Sequence, residues 1–161
     1  MKNKSILFMT QASMIAAIYV ILTVLFAPFG FGEIQVRLAE ALTILPFFTP
    51  AAVPGLFVGC LLGNVMGGAP LPDIVFGSLA TLIGAVCTYL LRKHGKFLAP
   101  IPPIVANIII IPLVLHYAYG ANLPIPFMML SVGVGEVISC GILGMILLSA
   151  LQKYSHRIFK Y

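Results

Sequence analysis

The stretch EIQVRLAE, residues 33–40, is a charged island within a largely apolar sequence. It holds Glu33 and Glu40, two of the chain's four acidic residues, and Arg37, the sole basic residue between positions 4 and 92. A charge beside a membrane-embedded segment is costly and persists mainly where it is paired or used. We therefore predict that this stretch is a ligand-binding element. The alternative is an interfacial loop whose charges face water.

Long apolar runs flank this stretch and recur along the whole chain. Hydrophobic residues make up 61% of the 161 residues and charged residues only 8%, and the mean hydropathy is +1.12. A soluble domain carries about 25% charged residues. The composition therefore predicts an all-α integral membrane protein with six transmembrane helices, forming a single transmembrane domain over residues 1–161.

The six predicted spans cover about residues 6–28, 37–49, 53–67, 73–91, 100–119 and 126–151. The second and third spans are short and are interrupted by Pro46, Pro50 and Pro54, so a re-entrant hairpin is the alternative. Eight of the nine basic residues lie at the two ends of the chain and in the loop at 92–96. Positive charge marks the cytoplasmic side, so both termini are predicted to be cytoplasmic, with four spans or with six.

Further polar side chains fall within the apolar segments. Glu136 lies in the middle of the last span, and an intramembrane carboxylate is a functional candidate by default; the alternative is a protonated acid that bonds to a neighbouring helix. Asn64 and Asn107 are weaker candidates, because buried amides often only join helices. Asp73 suits the first turn of its helix, where a carboxylate complements the helix dipole.

Together these groups favour a small planar ligand with hydrogen-bonding edges, because carboxylates accept from N–H groups while amides both donate and accept. Gln35 adds a further amide to the charged stretch, and Arg37 has the alternative role of pinning Glu33 or Glu40 as an ion pair. The candidate substrate-binding residues are Glu33, Gln35, Arg37, Glu40, Asn64, Asp73, Asn107 and Glu136.

The sequence lacks the motifs of the common enzymes and metal sites. Gly95-Lys96 is not part of a phosphate-binding loop, and there is no H-E-x-x-H or G-x-S-x-G. The cysteines (60, 87 and 140) have no C-x-x-C spacing and are interpreted as packing residues, with no disulfide framework. We expect no catalysis, no metal and no cofactor, and if transport uses ATP, the ATPase is another chain. The basic residues reflect membrane topology, so no nucleic-acid partner is expected.

Ala12 and Ala16 lie one turn apart in the first span. A small-x-x-x-small spacing lets another helix approach closely. It predicts either contact with a partner helix or ordinary packing within the chain.

Five segments, in order over most of the chain, carry a resemblance to a known family: GEIQVRLAEAL (32–42), GLFVGCLLGN (55–64), DIVFGSLATL (73–82), PPIVAN (102–107) and GVGE (133–136). They resemble the QueT family, the substrate-binding S components of energy-coupling factor (ECF) transporters for queuosine precursors.

The resemblance implies a six-helix S-component fold with cytoplasmic termini in the bacterial cell membrane. It implies capture at the outer face of a 7-deazaguanine such as preQ0, preQ1 or queuine, and delivery inward with a T component and two ABC-type ATPases. A guanine-like edge offers N–H donors to a carboxylate, and the aminomethyl cation of preQ1 offers another. In S components an A-x-x-x-A pattern on the first helix contacts the T component, and Ala12 and Ala16 fit that pattern.

Two other functions remain as alternatives. One is a self-sufficient secondary transporter of a small nitrogen heterocycle, vitamin or amino acid, with Glu136 as a proton relay; internal repeats would favour it, and none is convincing. The other is a small membrane enzyme or assembly factor, which the missing catalytic motifs disfavour.

Overall fold

The computed structural model describes residues 2–26, 37–118, 120 and 122–155. These residues form helices and no strand. The six principal helices are α1 (Lys2–Leu25), α2 (Leu38–Phe47), α3 (Ala52–Met66), α4 (Leu71–Leu91), α5 (Ile101–Ala118) and α6 (Ile125–Gln152). Two short 3₁₀ turns, Arg92–His94 and Lys96–Leu98, connect α4 to α5. The predicted spans agree with these helices to within a few residues where their ends are described.

Four of the helices, α1, α4, α5 and α6, are long and apolar enough to cross a membrane. The other two are shorter. At about 2.0 Å per residue for a 3₁₀ helix, α2 extends roughly 20 Å, and α3 extends roughly 22 Å at about 1.5 Å per residue. A bilayer core is about 30 Å thick. The all-helical membrane class is therefore supported, while the count of six spans and the orientation of the termini stay predictions.

The helices pack in a chain of neighbours. Helix α3 packs against α1 and α4, α5 packs against α4 and α6, and α2 lies against α1, α3, α4 and α6. Most of α2 is buried, and its leucine and isoleucine side chains join the apolar core. This central position explains why a ten-residue segment with a proline inside it forms a helix, since tertiary packing supplies what local propensity does not.

Glycines set the distance between α1 and α3. A Cβ atom added at Gly55 would lie 2.7 Å from the Ala12 carbonyl oxygen, and one at Gly59 would lie 3.0 Å from Ala16 Cα. These separations are too short for real side-chain carbons, so the two backbones touch only because both positions lack a side chain. Packing within the chain therefore uses the Ala12 and Ala16 face. Their contact with a partner helix stays a prediction.

Two helices depart from α-helical winding next to the acidic residues. Helix α2 is wound as a 3₁₀ helix, in which residues three apart eclipse one another, so Glu40 and Thr43 lie on the same face. Helix α6 is α-helical over Ile125–Glu136, becomes a π-helix over Val137–Leu143 and returns to α-helix at Gly144. Such π segments are rare and occur frequently at functional sites. Here the segment begins immediately after Glu136.

Candidate functional site

Six of the eight predicted substrate-binding residues lie in the described part of the chain, and all six are buried or nearly so. Glu40, Asn64, Asp73, Asn107 and Glu136 are each less than 5% exposed, and the side chain of Arg37 is 10% exposed. Glu33 and Gln35 lie outside the described residues. The six residues come from α2, α3, α4, α5, α6 and the residue before α2, and they form two neighbouring groups.

The first group joins the ends of α2, α3 and α4. Arg37 Nη2 donates to Asp73 Oδ2 at 3.0 Å, forming an ion pair, and Asn64 Nδ2 donates to the Asp73 carbonyl oxygen at 3.3 Å. Gly77 leaves space for this group, because a Cβ there would lie 3.2 Å from Asp73 Oδ1 and 3.3 Å from Asn64 Nδ2. Asp73 is also in the first turn of α4, as predicted. The sequence alternative paired Arg37 with Glu33 or Glu40; the ion pair seen among the described residues is instead with Asp73, 36 residues away along the chain, and Glu33 lies outside those residues.

The second group is built around Glu40 in α2. The Tyr19 hydroxyl of α1 and the Thr81 hydroxyl of α4 both donate to Glu40 Oε1, the latter at 3.3 Å. Glu40 Oε2 is fully buried and has no hydrogen-bond partner among the described residues. A buried acceptor left unsatisfied costs about 1–3 kcal/mol. This oxygen can therefore accept a hydrogen bond that no described residue donates.

Glu136 faces the same region from α6. The Cys140 thiol donates to Glu136 Oε2 at 3.1 Å and is 3.4 Å from the Glu40 carbonyl oxygen. Thr43 Oγ1 donates to that same carbonyl oxygen at 2.6 Å and is 3.3 Å from Cys140 Sγ. The Asn107 amide on α5 lies near both carboxyl groups. The 3₁₀ face of α2 and the π segment of α6 thus bring the two acids together across 96 residues of sequence.

Charge in this interior is unbalanced. The buried acids in the described residues are Glu40, Asp73 and Glu136, against the single buried guanidinium of Arg37. Arg37 hydrogen-bonds to Asp73, and the two glutamates have ligand atoms within 4.8 Å of one another. Two ionised carboxylates at that separation repel by at least roughly 3 kcal/mol, even at an effective dielectric constant of about 20. The pair is therefore expected to hold either a proton or a cationic group.

Glu40, Glu136 and Cys140 also form a group that could ligate a metal ion, with one ligand atom from each residue within 4.8 Å of the others. Carboxylates and a thiolate are ligands that zinc accepts. The sequence predicts no such group, because ligand spacing is recognisable only within one helix, whereas Glu40 comes from α2 and the other two residues from α6.

Several residues of the site were missed at the sequence level. Tyr19, Thr81 and Cys140 contact the acids directly, and the packing role assigned to Cys60 and Cys140 was incomplete, because both thiols accept or donate polar contacts. Helical spacing could have identified two of these residues, because each follows a predicted residue on the same helix face. Tyr19 follows Ala16 by three residues on the α3-facing side of α1, and Cys140 follows Glu136 by four.

The fold and the site define a helical membrane protein whose packed helices enclose a carboxyl-rich polar centre. Its outward-facing side chains are large and apolar along both α1 and α4, as contact with lipid requires.

Comparison with known proteins identifies the family. Residues 9–153 match the family described as QueT transporter, so the chain belongs to the QueT transporter family. The queuosine precursor transporter QueT of Lactococcus lactis subsp. cremoris (strain MG1363) is 29% identical over 85 residues. That alignment covers 52% of this chain and 50% of the relative. No solved structure matches.

Proposed function

We propose that the protein is the substrate-binding S component of an ATP-driven ECF-type importer in the bacterial cell membrane. It captures a queuosine precursor, a 7-deazaguanine such as preQ0, preQ1 or queuine, at the outer face. It delivers this substrate inward together with a T component and two ABC-type ATPases, which hydrolyse the ATP. Membership of the QueT transporter family and the name of the Lactococcus relative support the transport role and the substrate class.

The observation that carries the proposal is the buried polar centre. A guanine-like ring presents N–H donors on one edge and acceptors on another, so it requires acids, amides and a cation in one place. Glu40, Glu136, Asn107 and the Arg37–Asp73 pair supply these groups within one helical bundle. Small-molecule sites typically contain a few convergent polar groups that fix the orientation of the ligand, and the buried acids and amide of this centre supply such groups.

Charge distribution supports entry from outside. The Arg37–Asp73–Asn64 group lies where α2 and α4 begin and α3 ends, opposite the basic loop at 92–96. Because basic loops mark the cytoplasmic side, we infer that Arg37 lies at the outer end of the site.

The T-component contact is proposed on the first helix. Ala12 is partly exposed and Ala16 is buried against α3, while the adjoining small residues Ser13 and Ala17 are exposed. We therefore infer that a partner helix approaches α1 on the side where Ala12, Ser13 and Ala17 are accessible.

Ligand binding to purified protein in detergent, measured by calorimetry, tests the substrate assignment. We expect one 7-deazaguanine from preQ0, preQ1 and queuine to bind near one-to-one stoichiometry, with guanine binding more weakly. Glu136→Gln should weaken that binding. If folded protein binds none of these compounds, the substrate assignment is wrong.

The ECF assembly needs a separate test, because a secondary transporter with Glu136 as proton relay would also bind substrate. The buried position of Glu136 beside a π segment is the observation that favours this second candidate. Uptake should require co-expressed T and ATPase subunits and should persist when the proton gradient is collapsed. Uptake by the chain alone that stops on collapse of the gradient would establish the secondary transporter instead.

A further inference from the structure

We propose that Glu40 and Glu136 form an anionic clamp for a protonated amine on the substrate, so that the site takes amine-bearing 7-deazaguanines in preference to the neutral nitrile preQ0. This inference rests on the proposed function and specifies its substrate class. Among the three candidates, preQ1 and queuine carry an alkylamine that is protonated at neutral pH, and preQ0 carries none.

The geometry supplies two acceptors from two different helices. Glu40 comes from the 3₁₀ face of α2 and Glu136 from the end of the first α-helical part of α6. Their ligand atoms lie within 4.8 Å of one another, a separation that a single nitrogen can bridge with two hydrogen bonds of about 2.8 Å each. Glu40 Oε2 has no hydrogen-bond partner among the described residues, and an ammonium group brings three N–H donors.

The charge balance favours a cation over a neutral group. The guanidinium of Arg37 hydrogen-bonds to Asp73 at 3.0 Å, and this pairing leaves the two glutamates as the acids without a basic hydrogen-bonding partner among the described residues. An ammonium ion between them would give each carboxylate a charged donor. Buried charges are stable only when they are paired and hydrogen-bonded, so the substrate would complete the site electrostatically.

A nitrile cannot play this part. Its nitrogen is only an acceptor, so it would face the oxygens of Glu40 and Glu136 without a hydrogen between them. A ligand that buries this group would bring no donor to Glu40 Oε2, and the two carboxyls would keep only the contacts they already make with Tyr19, Thr81 and Cys140. Sites built to hydrogen-bond a substrate group strongly reject analogues that lack it, so preQ0 is expected to bind more weakly although its ring is the same.

The test combines a change in the ligand with a change in the protein. Calorimetry on the full chain in detergent compares preQ1, preQ0 and preQ1 carrying an N-acetyl group, which removes the positive charge without changing the protein. We expect preQ1 to bind about 30-fold or more tightly than either neutral compound, the scale measured for losing one partner of a buried charge pair. Glu40→Gln and Glu136→Gln should each reduce this ratio mainly by weakening preQ1.

Thr88→Val serves as the matched control variant. Thr88 is also a buried hydrogen-bonding residue, but its hydroxyl donates to the Ala99 carbonyl oxygen at 2.9 Å, near the other end of α4. This change should leave the ratio of preQ1 to preQ0 affinity unaltered. Thermal unfolding of every variant shows which are folded, and the comparison of preQ1 with its N-acetyl derivative on the unmodified chain stands even where a variant does not fold.

The outcomes separate the two proposals. If no 7-deazaguanine binds to folded protein, the proposed function fails. If preQ0 or N-acetyl-preQ1 binds as tightly as preQ1, the function stands and the amine clamp is wrong. Binding of preQ1 that is abolished by EDTA and restored by Zn²⁺ would also overturn the clamp, since Glu40, Glu136 and Cys140 would then act as metal ligands.

Discussion

Two buried regions of this protein bring helices together by opposite means. Between α1 and α3, Gly55 and Gly59 remove side chains so that backbone meets backbone. Between α2 and α6, acids, hydroxyls and thiols fill the space and bond to one another. The glycine contact brings backbone and Cβ atoms together, whereas in the polar centre Glu40 Oε2 is buried without a hydrogen-bond partner among the described residues. The first region is therefore suited to hold the bundle together and the second to receive a ligand.

Tyr19 connects the two regions. Its Cβ would lie 2.8 Å from a Cβ added at Gly59, so its stem belongs to the glycine contact. Its hydroxyl donates to Glu40, so its tip belongs to the polar centre. Any movement of α1 relative to α3 would therefore shift the Tyr19 hydroxyl that donates to Glu40.

The largest expected effect comes from breaking the ion pair beside the polar centre. Asp73→Asn leaves the Arg37 guanidinium without its carboxylate, and removing one partner of a buried pair costs about 3–5 kcal/mol. A clear fall in the thermal unfolding temperature in detergent is expected. The double variant Arg37→Met with Asp73→Leu should recover part of this loss, because it removes both charges. A single variant as stable as the unmodified protein would show that the pair contributes nothing.

The glycine contact gives the next largest effect. Gly55→Ala places a Cβ 2.7 Å from a carbonyl oxygen of α1, a backbone atom that cannot rotate away, and overpacking of this kind costs about 1–3 kcal/mol. Gly141→Ala is the matched control, because its nearest neighbour would be Val137 Cγ1 at an ordinary 3.6 Å. Thermal unfolding should separate the two variants. Equal stability of both would show that the α1–α3 distance adjusts freely.

The six helices and the buried acids and amides of the polar centre are recognisable in the sequence, because both signals are local. Apolar runs determine spans, and a charge inside such a run is conspicuous whatever its partners. Glu40 and Glu136 were both identified in this way. The ion pair between Arg37 and Asp73 could not be predicted from the chain, because the two residues lie 36 positions apart and come together only when α2 and α4 pack.

The 3₁₀ winding of α2 and the π winding in α6 also could not be predicted from the sequence. Nothing in VISCGIL at 137–143 distinguishes a π segment from an α-helix, yet this winding is present where Cys140 contacts Glu136. Likewise the 3₁₀ form of α2, which aligns Glu40 with Thr43, depends on tertiary packing around a ten-residue helix rather than on its own propensity.

Tyr19→Phe separates the two regions because it removes only the hydroxyl group that reaches the polar centre. The Cβ keeps its packing against Gly59, while Glu40 loses one of its two hydroxyl donors. Loss of a donor to a buried acceptor costs about 1–3 kcal/mol, so a moderate fall in unfolding temperature is expected. Tyr117→Phe, which changes a tyrosine that is 78% exposed, should have no effect beyond about 0.5 kcal/mol. Equal effects of the two changes would mean that the Tyr19 hydroxyl does not support Glu40.

The smallest effect is expected at the other donor to Glu40. Thr81 Oγ1 lies 3.3 Å from Glu40 Oε1, 3.4 Å from Cys60 Sγ and 3.2 Å from the Gly77 carbonyl oxygen. These are long contacts, and Tyr19 still donates to the same carboxylate oxygen when Thr81 is replaced. Thr81→Val should therefore cost less than about 1 kcal/mol, and less than Thr88→Val, which breaks a 2.9 Å bond to the buried Ala99 carbonyl. Thermal unfolding of the two isosteric variants side by side checks this order. The reverse order would show that Thr81, rather than Tyr19, is the principal hydrogen-bond donor that stabilises Glu40. The polar centre would then depend on α4 and not on the contact between α1 and α3.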